Sequence, residues 1–476
     1  MNAGRQATNL VVTLVLASVL GPSAFGLVAM AMVFVFLAQL LAQQGVGPAL
    51  IQREAVTDEH YTAGFWLVLG AATVLTVGAL LGSGWWADLN NEEQLAPVLR
   101  ALSPILILRA LIVVPDAILR RDLDFKPLAV RTNTASLIGG LVGIAAAVLG
   151  AGVWALVIQQ LLTAAVETLV VWLAVSWRPT WAFPRDAYRD LVGYSWRSTA
   201  ASMGVVATRR ADALIIGLVL GATTVGLYRL AARLVDTLMQ SIQGSIRAVS
   251  LPDLARLQSD PPAFRARIRQ LQMISSVAMV IPLAALAACG PTIIEILGDE
   301  WTDASVALAP LCLAGVARSL GQLSGPTLQA AGRPGALAIV AWITAAATIA
   351  TFVIISVWVD GRSANDQVIA LAIGTVGLAV ASALLGTSVV AGVTGVSVAD
   401  YAVASAPGAL GGAIGYAAGA LVALVLDDIP ALLTLGAAGT ASLTASTLTV
   451  LAVSSSIRQQ AIDGLATLRS RTATAE

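Results

Sequence analysis

Long apolar runs leave this chain few ways to fold. A helix needs about 20 apolar residues to cross the hydrocarbon core of a bilayer. About fourteen such runs lie near residues 6–20, 24–46, 62–86, 97–119, 128–149, 153–176, 191–219, 223–246, 271–290, 304–331, 335–358, 367–392, 401–426 and 430–453. Turn-forming residues separate them, among them Gly21-Pro22, Gly150-Ala151-Gly152, Gly221, Gly332-Arg333-Pro334-Gly335 and Asp427-Asp428-Ile429-Pro430. The runs do not alternate apolar and polar residues, which argues against the strands of a membrane barrel. Only 11% of residues are charged and 58% are hydrophobic, whereas a soluble domain is nearer a quarter charged. The expectation is an all-α integral membrane protein of about 14 transmembrane helices. The first run begins almost at Met1, but Arg5 is a thin basic region and the second run follows at once, so it reads as helix one and not as a signal peptide.

Composition also excludes several chemistries. The formal net charge is zero, which gives no electrostatic case for nucleic acid. Cys289 and Cys312 both sit in apolar runs and read as small buried residues. His60 has no Cys or His near it, so no zinc ligand set is expected. No Walker-type glycine loop occurs, which argues against direct ATP drive. No cofactor, metal or catalytic residue is expected.

Basic residues in short loops set orientation. With the N-terminus inside, the inner loops hold Arg53, Arg120, Arg121, Lys126, Arg178, Arg185, Arg189, Arg256, Arg265, Arg267, Arg269, Arg333 and the arginines of the tail. The outer loops hold Asp88, Glu92, Glu93, Glu295, Asp299, Glu300, Asp303, Asp360, Asp366, Asp427 and Asp428. Arg362 is the clear exception, with Arg100 at a helix edge. Both termini are therefore expected in the cytoplasm, with the chain in the cytoplasmic membrane.

A repeat divides the chain. Residues 17–31 (ASVLGPSAFGLVAMA) and 217–231 (GLVLGATTVGLYRLA) align at an offset of 200, pairing Gly21 with Gly221, Gly26 with Gly226 and Ala31 with Ala231. Each copy is a tight outer turn, and six intervening helices leave both copies in the same orientation. Two parallel, pseudo-symmetric halves with a central cavity follow, as in transporters built from parallel repeats. The expected division is an N-terminal lobe at 1–190 (helices 1–6), a second lobe at 191–358 (helices 7–11, with helix 12 at 367–392), C-terminal helices 13–14 at 401–453 and a cytoplasmic tail at 454–476.

Charges inside spans are costly and usually face a cavity or pair with one another. Helix eight carries Arg229, Arg233, Asp236 and Gln240 at spacing 0, 4, 7, 11, which is one helical face, and helix ten carries Arg318, Gln322, Gly325 and Gln329 at the same spacing. Helix four carries Arg109, Asp116 and Arg120, and helix seven carries Arg209, Arg210 and Asp212. Helix two adds Gln39 and Gln43, and helix six adds Glu167. For any one residue two readings stay open: helix–helix glue, as Arg233 with Asp236 would be, or a ligand contact. As a set, the arginines outnumber the acids on their own helices, and a guanidinium grips phosphate in a two-pronged fashion. Arg109, Arg209, Arg210, Asp212, Arg229, Arg233, Asp236, Arg318 and Gln322 are the candidate substrate-binding residues.

The stretch 20–66 resembles the opening of the polysaccharide flippases related to teichuronic acid and colanic acid exporters. The resemblance rests on Leu20-Gly21-Pro22, Phe25-Gly26-Leu27, Ala49-Leu50-Ile51-Gln52-Arg53 and His60 with Phe65-Trp66. Leu119-Arg120-Arg121-Asp122-Leu123-Asp124-Phe125, Arg209-Arg210-Ala211-Asp212 and Gly226-Leu227-Tyr228-Arg229-Leu230-Ala231 continue it. One departure is Ser18, where relatives often carry an arginine. The resemblance implies the multidrug/oligosaccharidyl-lipid/polysaccharide (MOP) exporter superfamily and a MATE-like fold. It implies a flippase that moves an undecaprenyl-diphosphate-linked oligosaccharide by alternating access. Polyprenyl-diphosphate-linked oligosaccharide and membrane lipids would be its partners, with a polysaccharide polymerase as a further candidate.

Three rivals stay in view. A cation-coupled drug exporter of the same superfamily would favour an acidic cavity and an acid early in the chain, and helix one has none. A lipid II flippase is poorly separated by sequence. A polymerase or ligase of lipid-linked sugars would need a large outer loop with catalytic residues, and the outer loops here are short. Orientation is directly testable in a background without Cys289 and Cys312. Cysteines at residues 91 and 300 are expected to react with an impermeant maleimide in intact cells, and those at 123 and 262 are not. Labelling at 123 would overturn the topology.

Overall fold

Hydrocarbon offers no partner to a backbone N–H or C=O, so a spanning segment must satisfy its own. The computed structural model describes residues 2–43, 45–182, 185–426, 429–455 and 457–459, with side chains described except at 2–5, 7, 185, 186, 189–210 and 334. Among these residues the chain is helical throughout, without strands. Its first part comprises α1 (Asn2–Ala17), α2 (Pro22–Gln43), α3 (Val46–Gln52), α4 (Asp58–Leu89), α5 (Leu95–Leu102), α6 (Ile105–Arg121), α7 (Phe125–Val148) and α8 (Val153–Ala174). The long α9 (Arg185–Arg256) follows, then α10 (Pro261–Leu297), α11 (Thr302–Gly321), α12 (Ser324–Ala330), α13 (Pro334–Trp358), α14 (Ala364–Thr394), α15 (Val398–Val425) and α16 (Ala431–Val453).

Each of the fourteen apolar runs overlaps a helix. Among the described residues, twelve helical stretches are long and apolar enough to cross a membrane, and Thr8–Ala17 is a shorter apolar helix. In the run at 191–219, side chains are described only from residue 211 onward. The protein is thus a multi-pass membrane protein, and the count of fourteen holds approximately. Two expected single helices are broken in two: α5 with α6, and α11 with α12. Asp427 and Asp428 lie outside the described residues, as does most of the tail. Within α9 the backbone is non-helical at Gly221, with φ 80° and ψ 179°. The break stands where the sequence places the turn between helices seven and eight, at a φ that L side chains rarely adopt.

The chain divides into two compact units, residues 1–229 with 345–367 and residues 230–344 with 368–476. In that unit α7 packs along α8, α6 lies against α4 and α8, and α1 lies on α7. The lone histidine has a structural task here. With Thr57 it forms a capping box at the start of α4, its Nδ1 accepting from the Thr57 backbone N–H at 3.3 Å. One turn on, Phe65 packs edge-to-face on Trp172 and Trp177 with ring centroids 6.0 Å apart. In the second unit α10 is the central helix, flanked by α11, α15 and α16. Two rows of small residues on α15 allow the close approach. Gly408 and Gly412 face Ser276 and Val280 of α10, while Gly411 and Gly415 face Ser446 of α16. Small residues let helices in lipid bring their backbones together, where packing replaces the hydrophobic effect as the attraction.

The sequence repeat becomes a contact inside the first unit. A methyl group on Gly26 would overlap the carbonyl oxygen of Ala222, and one on Gly226 would overlap the carbonyl oxygen of Pro22. The repeat offset carries 22 onto 222 and 26 onto 226, so the two contacts exchange under it. That reciprocity is the signature of a local two-fold axis. Both turns lie in the first compact unit. The break at Gly221 is held by two side chains from elsewhere in the unit. Glu92 accepts from the Ala222 N–H at 3.1 Å, and Thr224 donates to Gln367 at 2.6 Å. Overpacking a tight site costs about 1–3 kcal/mol, and a backbone carbonyl has little room to yield. Gly26→Leu and Gly226→Leu are each expected to lower the thermal midpoint of the purified protein, while Gly78→Leu, with nothing within 4 Å, leaves it unchanged. Wild-type midpoints for both crossing variants would show that the turns do not meet.

Candidate functional site

The motif that opens the chain and the one that follows α6 meet in space. Gly45, with φ 71°, turns the chain from α2 into the short α3. The last carbonyls of such a helix have no partner of their own. Arg121 supplies one: its guanidinium donates to the carbonyls of Leu50 at 3.0 Å, Ile51 at 3.3 Å, Arg53 at 2.5 Å and Glu54 at 3.3 Å. The Ala49–Arg53 segment and the Leu119–Phe125 segment are thus one structural device, which seats α3 against α6.

Behind it lies a cavity of 540 Å³, wholly within the first unit, a size suited to a small polar molecule. Gln39 and Gln43 line it from α2, Pro48 and Ile51 from α3, Arg109, Asp116 and Arg120 from α6, and Arg131 from α7. Asp116 is gripped from two sides, by Arg120 one turn on and by Arg131 at 2.6 Å. Arg109 pairs with Glu167 of α8, whose side chain is only 9% exposed. Three arginines and two acids leave one net positive charge. The Nε of Arg131 is buried and has no acceptor.

The nine sequence-derived candidates fall in several places. Arg109 lines the cavity. Also in the first unit, Arg229 meets Asp212 at 2.7 Å, and the second oxygen of Asp212 is buried without a partner. In the second unit Arg318 meets Asp236 at 3.3 Å, both side chains about two-fifths exposed at 41% and 42%. Arg233 is exposed on the same helix as Asp236, and Arg318 reaches Asp236 from α11, an inter-helical contact that spacing along one helix could not show. Gln322 donates to Ser275, and its carbonyl oxygen is buried and unpartnered. The side chains of Arg209 and Arg210 lie outside the described residues. Comparing arginines with acids on the same helix overstated the surplus, because Glu167 and Asp236 come from other helices. Arg131 was missed among the candidates. It sits inside the apolar run 128–149, and an ionisable residue in such a run was the available signal.

A profile of the family described as "Polysaccharide biosynthesis protein" matches residues 15–306. The chain is 26% identical to the lipopolysaccharide biosynthesis protein WzxC of Escherichia coli (strain K12), over 67% of this chain and 65% of that one. It is 24% identical to the succinoglycan biosynthesis transport protein ExoT of Rhizobium meliloti (strain 1021), over 63% and 61%. It is also 24% identical to the teichuronic acid biosynthesis protein TuaB of Bacillus subtilis (strain 168), over 62% of each. The chain thus spans a little under two thirds of the length of these relatives. Among solved structures, lipid II flippase MurJ in an inward closed conformation superposes with a TM-score of 0.69 at 13% identity, over 96% of this chain and 98% of that one. An inward-facing MATE family transporter of the MOP superfamily superposes at 0.63 and 16% identity, over 82% and 96%. The fold is theirs.

The Arg109–Glu167 pair gives a stability test. Removing one partner of a buried pair costs about 3–5 kcal/mol, because the other charge stays behind, and the one-third exposure of Arg109 puts this pair at the low end. Arg109→Met and Glu167→Met should each lower the unfolding midpoint of the purified protein, and the double variant should recover most of the loss. Additive losses in the double variant would show that the two side chains do not interact.

Proposed function

The chain belongs to the polysaccharide biosynthesis protein family, and on that premise we propose that it is a flippase. It carries an undecaprenyl-diphosphate-linked oligosaccharide from the inner to the outer leaflet of the cytoplasmic membrane, for synthesis of cell-envelope polysaccharide, by alternating access. Arginines set within membrane-spanning helices carry this reading, each able to hold a phosphoryl oxygen in a two-pronged hydrogen bond. The residues proposed to take the diphosphate and its sugars are Arg109, Arg209, Arg210, Asp212, Arg229, Arg233, Asp236, Arg318 and Gln322. Described in pairs with acids, Arg109, Arg229 and Arg318 hold their guanidinium groups in place before a substrate arrives. The reading assigns no bond-making chemistry to the protein, and the names of its relatives support transport.

The same reading places both termini in the cytoplasm. It keeps the parallel lobes at 1–190 and 191–358, with helix 12 at 367–392, helices 13–14 at 401–453 and the tail at 454–476, as the moving parts. A polysaccharide polymerase on the outer face would be its next partner.

Loss of one charge-assisted contact costs on the order of 1.5–3 kcal/mol, roughly tenfold to a hundredfold in affinity. Arg318→Ala is therefore expected to cripple translocation of undecaprenyl-diphosphate-linked oligosaccharide in proteoliposomes at matched protein levels. Arg318→Lys should restore it partly, since lysine keeps the charge and loses the fork. The decisive comparison adds Asp236→Ala to Arg318→Ala. If Arg318 serves only to neutralise Asp236, the double variant regains translocation, and that recovery would remove Arg318 from the substrate site.

A further inference from the structure

The cavity between α2, α3, α6 and α7 has a chemistry of its own. Arg120 and Arg131 share a single carboxylate, Asp116. A guanidinium carries five N–H donors, and two guanidinium groups cannot use them all on two oxygens. The Nε of Arg131 is the clearest surplus donor, buried and without an acceptor, and its side chain is only 14% exposed. A buried donor left unmade is costly, so a turn of the Arg131 side chain that brings its Nε to an acceptor in the cavity is favourable. On the facing helix Gln39 and Gln43 stand one turn apart and line the same space. Their amides are donors and acceptors suited to hydroxyl groups.

We infer that this cavity is a binding site for a phosphoryl anion, held by Arg131 and Arg120, with Asp116 holding the two guanidinium groups when no anion is bound. An anion of two or more negative charges outcompetes a monovalent carboxylate for the pair, and Arg120, at 45% exposure, is free enough to turn toward it. The positive charge of the cavity favours such a ligand, and the glutamines leave room for a sugar beside it. The inference deepens the flippase reading by adding Arg120, Arg131 and Asp116 to the residues that meet substrate. It rests on that reading only for the identity of the natural ligand. A lipid-linked diphosphate and the headgroup of an acidic phospholipid share the chemistry, and the experiment separates them.

The full-length protein is placed in nanodiscs of phosphatidylcholine and titrated calorimetrically with inorganic pyrophosphate. A second arm repeats the titration in nanodiscs containing phosphatidylglycerol. Saturable binding is expected in the first arm, weakened about tenfold or more by Arg131→Gln and less by Arg131→Lys. Asp116→Asn, which removes the competing carboxylate, is expected to tighten it. A weaker apparent affinity in phosphatidylglycerol means that lipid headgroups occupy the same site, and an unchanged one means that they do not; both keep the anion site. If Arg131→Gln does not fold, Arg120→Gln takes its place, being partly exposed already. Absence of pyrophosphate binding in both arms, or binding unaltered by the Arg131 or Arg120 variant, overturns the inference. Because binding is read without transport, normal translocation with an empty cavity would sink this site alone, and bound pyrophosphate without translocation would sink the flippase reading alone.

Discussion

A guanidinium group set into a bundle of apolar helices cannot be left without an acceptor, and much of this architecture answers that need. Burying an isolated charge is prohibitive, while a charge with a fitted counter-charge is tolerable. Arg109 takes Glu167 from α8, Arg229 takes Asp212, Arg318 takes Asp236, and Arg120 and Arg131 divide Asp116. Apart from Arg120 with Asp116, which lie on one helix, each pair crosses from one helix, or one arm of a bent helix, to another, and so fixes a rotation of the helices about their axes as well as neutralising charge. Arg121 applies the same rule to dipoles, gathering the loose carbonyls at the end of α3. The proposed binding residues and the scaffold are therefore of the same residue type, and the proposed difference lies in how many donors remain unused.

The spans were legible because the bilayer imposes their length locally. The runs expected at 128–149 and 335–358 became α7 at Phe125–Val148 and α13 at Pro334–Trp358. The turn at Gly221 was legible because a glycine between two apolar runs has few other uses. Shorter pieces were not. The break between α5 and α6 falls at Ser103-Pro104, inside one apolar run whose hydropathy does not register it. Partners were the least visible feature: Arg109 and Glu167 lie 58 residues apart, and nothing in the spacing along either helix joins them. The repeat was legible as a pattern of glycines, but the reason for those glycines, a reciprocal approach of two backbones, exists only in the folded chain.

That reciprocal approach has a mechanical consequence. At the crossing of the two turns, Gly26 and Gly226 present bare backbone to the carbonyls of Ala222 and Pro22. Dispersion between closely packed atoms is steep: a gap of roughly 0.5–1 Å already forfeits about a quarter to a half of it. A contact held by flexible side chains can stretch and still adhere, whereas backbone on backbone has no such slack. It behaves like a snap fastener: fully engaged or fully released, with no intermediate width at which the two turns still cling.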